Sequence, residues 1–202
     1  MVVKRIFNRT MSAIPPETAI SMPLLSRVAT GSRPSRLEED VVALFDRFRG
    51  PLLRYLLACR VPIPEAEEIV QETFLALFQH LRAGKSRANL PGWIFRVAHN
   101  LALKQMARAQ RIAPSLPETH PDLAPGPEEL ASDQQRQQRL LAVLHALPEQ
   151  DQCCLALRAE GLRYREIAEV LGVSLGTVAN SLARSLARLN RADEFGGTNA
   201  PR

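Results

Sequence analysis

Aromatic residues are scarce in this chain: one tryptophan, two tyrosines and seven phenylalanines among 202 residues. Sheet proteins draw on aromatic and β-branched residues. Here alanine, leucine, arginine and glutamine dominate instead, and that usage favours helix. No apolar run approaches the ~20 residues that cross a bilayer, so a membrane-spanning helix is not expected. Cysteine is also sparse. Cys59, Cys153 and Cys154 form no CxxC pair and have no histidine at ligand spacing. That argues against a disulfide framework or a zinc site and for buried thiols in a reducing cytoplasm, with Cys153 and Cys154 on different faces of one helix. No glycine-rich phosphate loop follows a strand, no carboxylates pair across a plausible cleft, and His80, His99, His120 and His145 are scattered. An enzyme is not expected, nor a cofactor or a bound metal.

Acid is missing from one long stretch. No Asp or Glu occurs between Glu72 and Glu118, while Arg82, Lys85, Arg87, Arg96, Lys104, Arg108 and Arg111 all fall there. Just before it stands an acidic run of Glu65, Glu67, Glu68 and Glu72. The net charge of +5 resides in the leader, where Lys4, Arg5, Arg9, Arg27, Arg33 and Arg36 face only Glu17. The remainder is neutral in sum but partitioned. An acidic surface followed by a basic one points to two different partners, one of them a polyanion.

Proline divides the chain. Residues 1–36 contain Pro15, Pro16, Pro23 and Pro34 and no sustained helical period, and read as a disordered basic arm. From Leu37 an apolar stripe of Val41, Leu44, Phe45 and Phe48 begins. Gly50-Pro51 allows a break or kink before Leu52, Leu53, Leu56 and Leu57 resume the stripe. Pro64 ahead of Glu65 and Glu67 marks a second helix start, and Ala83-Gly84 its end. A third periodic run follows Pro91-Gly92. Five prolines between Pro114 and Pro127 mark a linker over 112–130. A second helical block spans 131–191, and residues 192–202 read as a disordered tail. The fold class is therefore all-α: two small helical domains, 37–111 and 131–191, joined by the proline-rich linker.

Within the second domain, YREIAEVLGVSLGTVANSLAR has the parts of a helix-turn-helix. Ala168 is the small residue where two helices cross and Gly172 the left-handed turn. Ile167, Leu171, Val173 and Val178 supply the buried contacts, and Ser174 the cap of the second helix. That helix buries Leu182, Leu186 and Leu189 as well. Its other face is expected to show Thr177, Asn180, Ser181, Arg184, Ser185 and Arg188. Placed in a major groove, Asn180 suits adenine, Ser174, Thr177 and Ser181 suit bases or phosphates, and Arg184 and Arg188 suit phosphates.

The two halves together resemble a bacterial RNA polymerase sigma factor of the extracytoplasmic-function group. AEEIVQETFLALF, Ala66 to Phe78, is similar to the helix that docks on the polymerase clamp. WIFRVAHNLALKQMAR, Trp93 to Arg108, is similar to the helix that melts and reads the minus-ten element. LPEQDQCCLALRAEGLRYREIAEVLGVSLGTVANSLAR resembles the domain that reads the minus-thirty-five element. The resemblance implies core polymerase and promoter DNA as partners, with an anti-sigma factor as a further one. It implies docking through Glu67, Glu68, Gln71 and Glu72 beside Val70 and Phe74. It implies DNA contact through Arg87, Arg96, His99, Asn100, Lys104 and Arg108. Trp93 stands at the start of an apolar face, either as core or as a stacking partner for an extruded base. Lys104, Ala107, Ala179 and Ser181 depart from the residues usual in the family, which implies an unusual promoter. Two rivals are a stand-alone helix-turn-helix regulator, dimeric on a palindrome, and a sigma-like adaptor that has lost promoter reading.

Overall fold

The computed structural model describes residues 35–112 and 131–194, in which seven α-helices and no strand occur. Apart from their inner edges, the expected arm, linker and tail lie outside these residues.

Helix α1, Arg36–Ala58, starts at Ser35, whose hydroxyl accepts the Glu38 N–H while the Glu38 carboxylate accepts the Ser35 N–H. This reciprocal pair satisfies two amides that a helix start otherwise leaves open. Pro51 lies inside α1 and does not end it. A proline there removes one intrahelical hydrogen bond, but Leu52, Tyr55 and Leu56 on the following turn are fully buried, and packing carries the helix through. Helix α2, Ile63–Arg82, follows Pro62, has a proline in its first turn, and ends before Gly84 at φ +67. Helix α3, Leu90–Ile112, is introduced by Asn89, whose side-chain oxygen accepts the Gly92 N–H. The three helices pack on one another, with Phe45 edge-on to Phe74 and Tyr55 edge-on to Phe95.

The second group holds α4, Ala131–His145, α5, Glu149–Ala159, α6, Tyr164–Leu171, and α7, Leu175–Glu194. Helix α7 is its centre, touching α4, α5 and α6. Asp193 pairs with Arg136 to tie the end of α7 to α4.

The two groups meet along a seam where α1 lies on α5 and α3 lies on α6. Their buried apolar residues form one continuous cluster. Arg54 of α1 makes a bidentate pair with Glu160 at the end of α5, both contacts 2.8 Å. Arg60 donates to the His145 carbonyl. Beside them Cys59 and Cys153 are joined as a disulfide, and only Cys154 is a free thiol. This corrects the expectation of three buried thiols. Spacing rules see bridges within a local framework, whereas this one spans 94 residues of sequence.

Candidate nucleic-acid interface

Helix α3 presents Arg96, Asn100, Lys104 and Arg108 to solvent at four-residue spacing. Residues three and four apart share a helix face, so these form one stripe of three cations around an amide. The opposite side explains their direction. Ile94, Phe95, Ala98 and Ala102 are buried, and they turn the polar residues outward. Two other expected contacts sit differently. His99 is half-buried, and its Nδ1 lies 2.8 Å from the Tyr55 hydroxyl. Burial lowers the His99 pKa and raises that of the Tyr55 phenol, so a protonated phenol and a neutral ring share this hydrogen bond. Trp93 is half-buried against the core, its ring 4.6 Å from that of His80. Arg87 is exposed in the preceding loop and pairs with Asp40 at 2.6 Å.

The C-terminal reader is built as its sequence suggests at the turn. Gly172 ends α6 at φ +66, a left-handed conformation that favours glycine. The Glu166 carboxylate accepts the Arg163 N–H at the start of α6. Ser174 accepts the Thr177 N–H at 3.0 Å and thus caps α7, with the two hydroxyls 2.8 Å apart. Val178, Leu182 and Leu189 are buried, and Thr177, Asn180, Arg184 and Arg188 are exposed.

Ser181 and Ser185 are not on that outer face. They are 1% and 0% exposed. Ser181 donates to Asp151 of α5 at 2.7 Å, and Ser185 has no hydrogen-bond partner among the described residues. Small hydroxyls fit where α7 packs on its neighbours, and their polarity made them look like surface residues in sequence. Asp151, itself buried, also accepts from Arg184 at 2.9 and 3.1 Å. Burial alone would raise the Asp151 carboxyl. Hydrogen bonds from Arg184 and Ser181, with the charges of Arg184 and Arg188, outweigh it and hold the pKa below its ordinary 3.8. Asp151 escaped notice because acid in the first turn of a helix has a sufficient local reason.

On α2, Glu68, Gln71 and Glu72 are exposed and Glu67 is half-buried. Val70 and Phe74 are 2% and 6% exposed, so they are core and not part of an outward face. The apolar residue beside the acids is Leu75, 58% exposed and one turn beyond Gln71. Its position at helical spacing from Glu68 and Glu72 was the signal for it. No group of His, Cys, Asp and Glu suited to a metal occurs among the described residues. No helix there is long and apolar enough to cross a membrane.

Comparison with known proteins identifies the family of each helical group. Residues 44–112 match the family described as Sigma-70 region 2, and residues 137–189 match Sigma-70, region 4. The chain is 35% identical over 130 residues to the ECF RNA polymerase sigma factor SigE of Mycolicibacterium smegmatis, covering 62% of this chain and 50% of that protein. It thus spans half the length of this relative. It is 27% identical over 161 residues to the ECF RNA polymerase sigma factor RpoE of Cereibacter sphaeroides, covering 79% of this chain and 89% of that one. Among solved structures, the sigma factor RpoE of Bartonella quintana, in complex with the anti-sigma factor NepR, superposes with TM-score 0.53 at 19% identity. That match covers 77% of this chain and 95% of the other and shows likeness of fold.

Proposed function

Since the chain belongs to the extracytoplasmic-function group of RNA polymerase sigma factors, we propose that it docks core polymerase through α2 and reads promoter DNA with α3 and α7. Sigma factors are not a class of enzyme, and the work here is recognition. A location in the cytoplasm, where polymerase and DNA are, goes with this reading.

The observation that carries the assignment is the acid-free stripe on α3 beside an acidic, solvent-facing α2, in one chain with a helix-turn-helix. The stripe supplies cations for the phosphate backbone and one amide, Asn100, for a base edge. Melting a promoter requires a base to leave the stack, which costs a few kcal/mol per step. Held charges and base contacts on α3 offset that cost. On α7, Asn180 is the base reader, Thr177 and Ser174 approach the backbone or a base, and Arg188 neutralises a phosphate. Arg184 braces Asp151 and keeps its outer N–H groups for a phosphate. Ser181 is assigned to packing. On α3, Trp93 and His99 support the stripe from behind. One structural relative, the sigma factor RpoE of Bartonella quintana, was solved with an anti-sigma factor, and a protein of that class is the expected regulator of this chain.

Polymerase docking is assigned to Glu68, Gln71, Glu72 and Leu75, with Glu67 at the margin. Alanine at Glu68, Gln71 and Leu75 together should weaken binding to purified core polymerase at least tenfold while leaving the helical circular dichroism unchanged. Unchanged affinity in that variant would move the docking site off α2.

A further inference from the structure

The seam between the two helical groups is closed by a bond whose ends belong to different groups. Cys59 follows the last turn of α1, and Cys153 lies in the second turn of α5. Their Cα atoms are 5.5 Å apart, within the range that disulfides span. Both residues are 5% exposed. The bond sits within the same contact as the Arg54–Glu160 pair and the Arg60–His145 hydrogen bond. On the adjoining part of the seam α3 rests on α6.

This closed arrangement conflicts with the proposed reading of DNA. Elements named minus ten and minus thirty-five lie about two and a half turns apart, or roughly 85 Å of B-form helix. Helix α3 touches α6, and α6 touches α7. Packed helices are about 8–10 Å apart, so the two readers are held within a few tens of ångströms. Residues 113–130, which join the groups, could span at most about 60 Å fully extended. The groups must part before both elements can be engaged.

We infer that the Cys59–Cys153 bond is a redox clamp that keeps the two readers together when oxidised and lets them separate when reduced. The consequence for promoters rests on the proposed sigma function; the clamp itself does not. Persistent structural disulfides are rare in a reducing cytoplasm, and those that form there are usually transient or redox-sensing. A hydroperoxide serves as oxidant. One cysteine thiolate attacks the peroxide oxygen and becomes a sulfenic acid as an alcohol or water leaves; the other thiol then displaces water to form the S–S bond. A dithiol reverses the step by exchange. It delivers two electrons and two protons to the cysteines and departs as its own disulfide. Because both sulfurs are buried, exchange waits on a transient opening of the seam. Cys154 remains a buried thiol throughout.

The test uses the full chain, treated either with hydrogen peroxide and desalted or with dithiothreitol. Alkylation and mass measurement should count one free thiol in the first sample and three in the second. Small-angle scattering should give a larger radius of gyration for the reduced protein. Core polymerase should bind the oxidised form at least tenfold more weakly than the reduced form. A Cys59→Ala/Cys153→Ala variant should behave as the reduced form under both treatments. Three free thiols after peroxide, or equal dimensions and equal affinities in the two states, would overturn the clamp. Expansion on reduction with no polymerase binding by either form would leave the clamp standing and remove the sigma assignment.

Discussion

At the scale of single residues, Asp151 fixes where the recognition helix lies. Its carboxylate receives Ser181 and Arg184 from α7 while seated on α5, so one buried acid sets the rotation of α7 about its axis. The outward placement of Asn180 follows from that rotation. Replacing Asp151 with Asn weakens the charge-assisted hydrogen bonds from Arg184 and Ser181 and leaves Arg184 without a charged partner, which destabilises the fold. The pH dependence has a definite sign. The folded pKa lies below the ordinary 3.8, so the unfolded chain binds the proton first as pH falls. The stabilisation is complete above about pH 5 and is lost on descent through the folded value. Urea unfolding midpoints should therefore be lower for Asp151→Asn at pH 7 and converge with the parent below pH 4. A constant difference at all pH values would assign the effect to packing alone.

At the scale of elements, the turn between α6 and α7 is the part most plainly written in sequence. Gly172 has open space around the position a Cβ would take, so its requirement is conformational and not steric. Alanine there should cost about 1–2 kcal/mol through the left-handed backbone, and asparagine less, since it tolerates that region better. Equal losses for Gly172→Ala and Gly172→Asn in thermal unfolding would contradict the conformational explanation. The helices and the caps at Ser174 and Gly172 were legible because they depend on neighbours a few residues away. Pro51 was read as a possible break because local rules do not include the burial of Leu52, Tyr55 and Leu56. Ser181 was read as surface because its partner Asp151, on α5, is thirty residues away in sequence, and Ser185 because its burial is likewise a matter of packing between helices. Val70 and Phe74 belonged to a real apolar stripe, but the stripe faces α1 and α3; the exposed residue Leu75 took their place beside the acids. What sequence could not reach was the seam. The pairing of Cys59 with Cys153 is a property of how two domains meet.

At the scale of the whole molecule, the proposed function joins weak readers through polymerase. Each of α3 and α7 offers few phosphate contacts. Low contact number gives low affinity and a shallow salt dependence. Fixing both readers on one scaffold restores affinity by raising the effective concentration of the second contact. The free chain, whether its seam is closed or open, should therefore bind promoters poorly even when DNA of the right sequence is present. A stand-alone regulator would do the opposite and protect a palindrome as a dimer. The most direct measurement is nuclease footprinting on promoter fragments selected by the chain assembled with core polymerase, comparing the reduced chain alone with the assembly. Protection of two separated elements, with melting at the downstream one, is expected only in the assembly. Equal protection by the free chain, or a single palindromic footprint indifferent to polymerase, would contradict it.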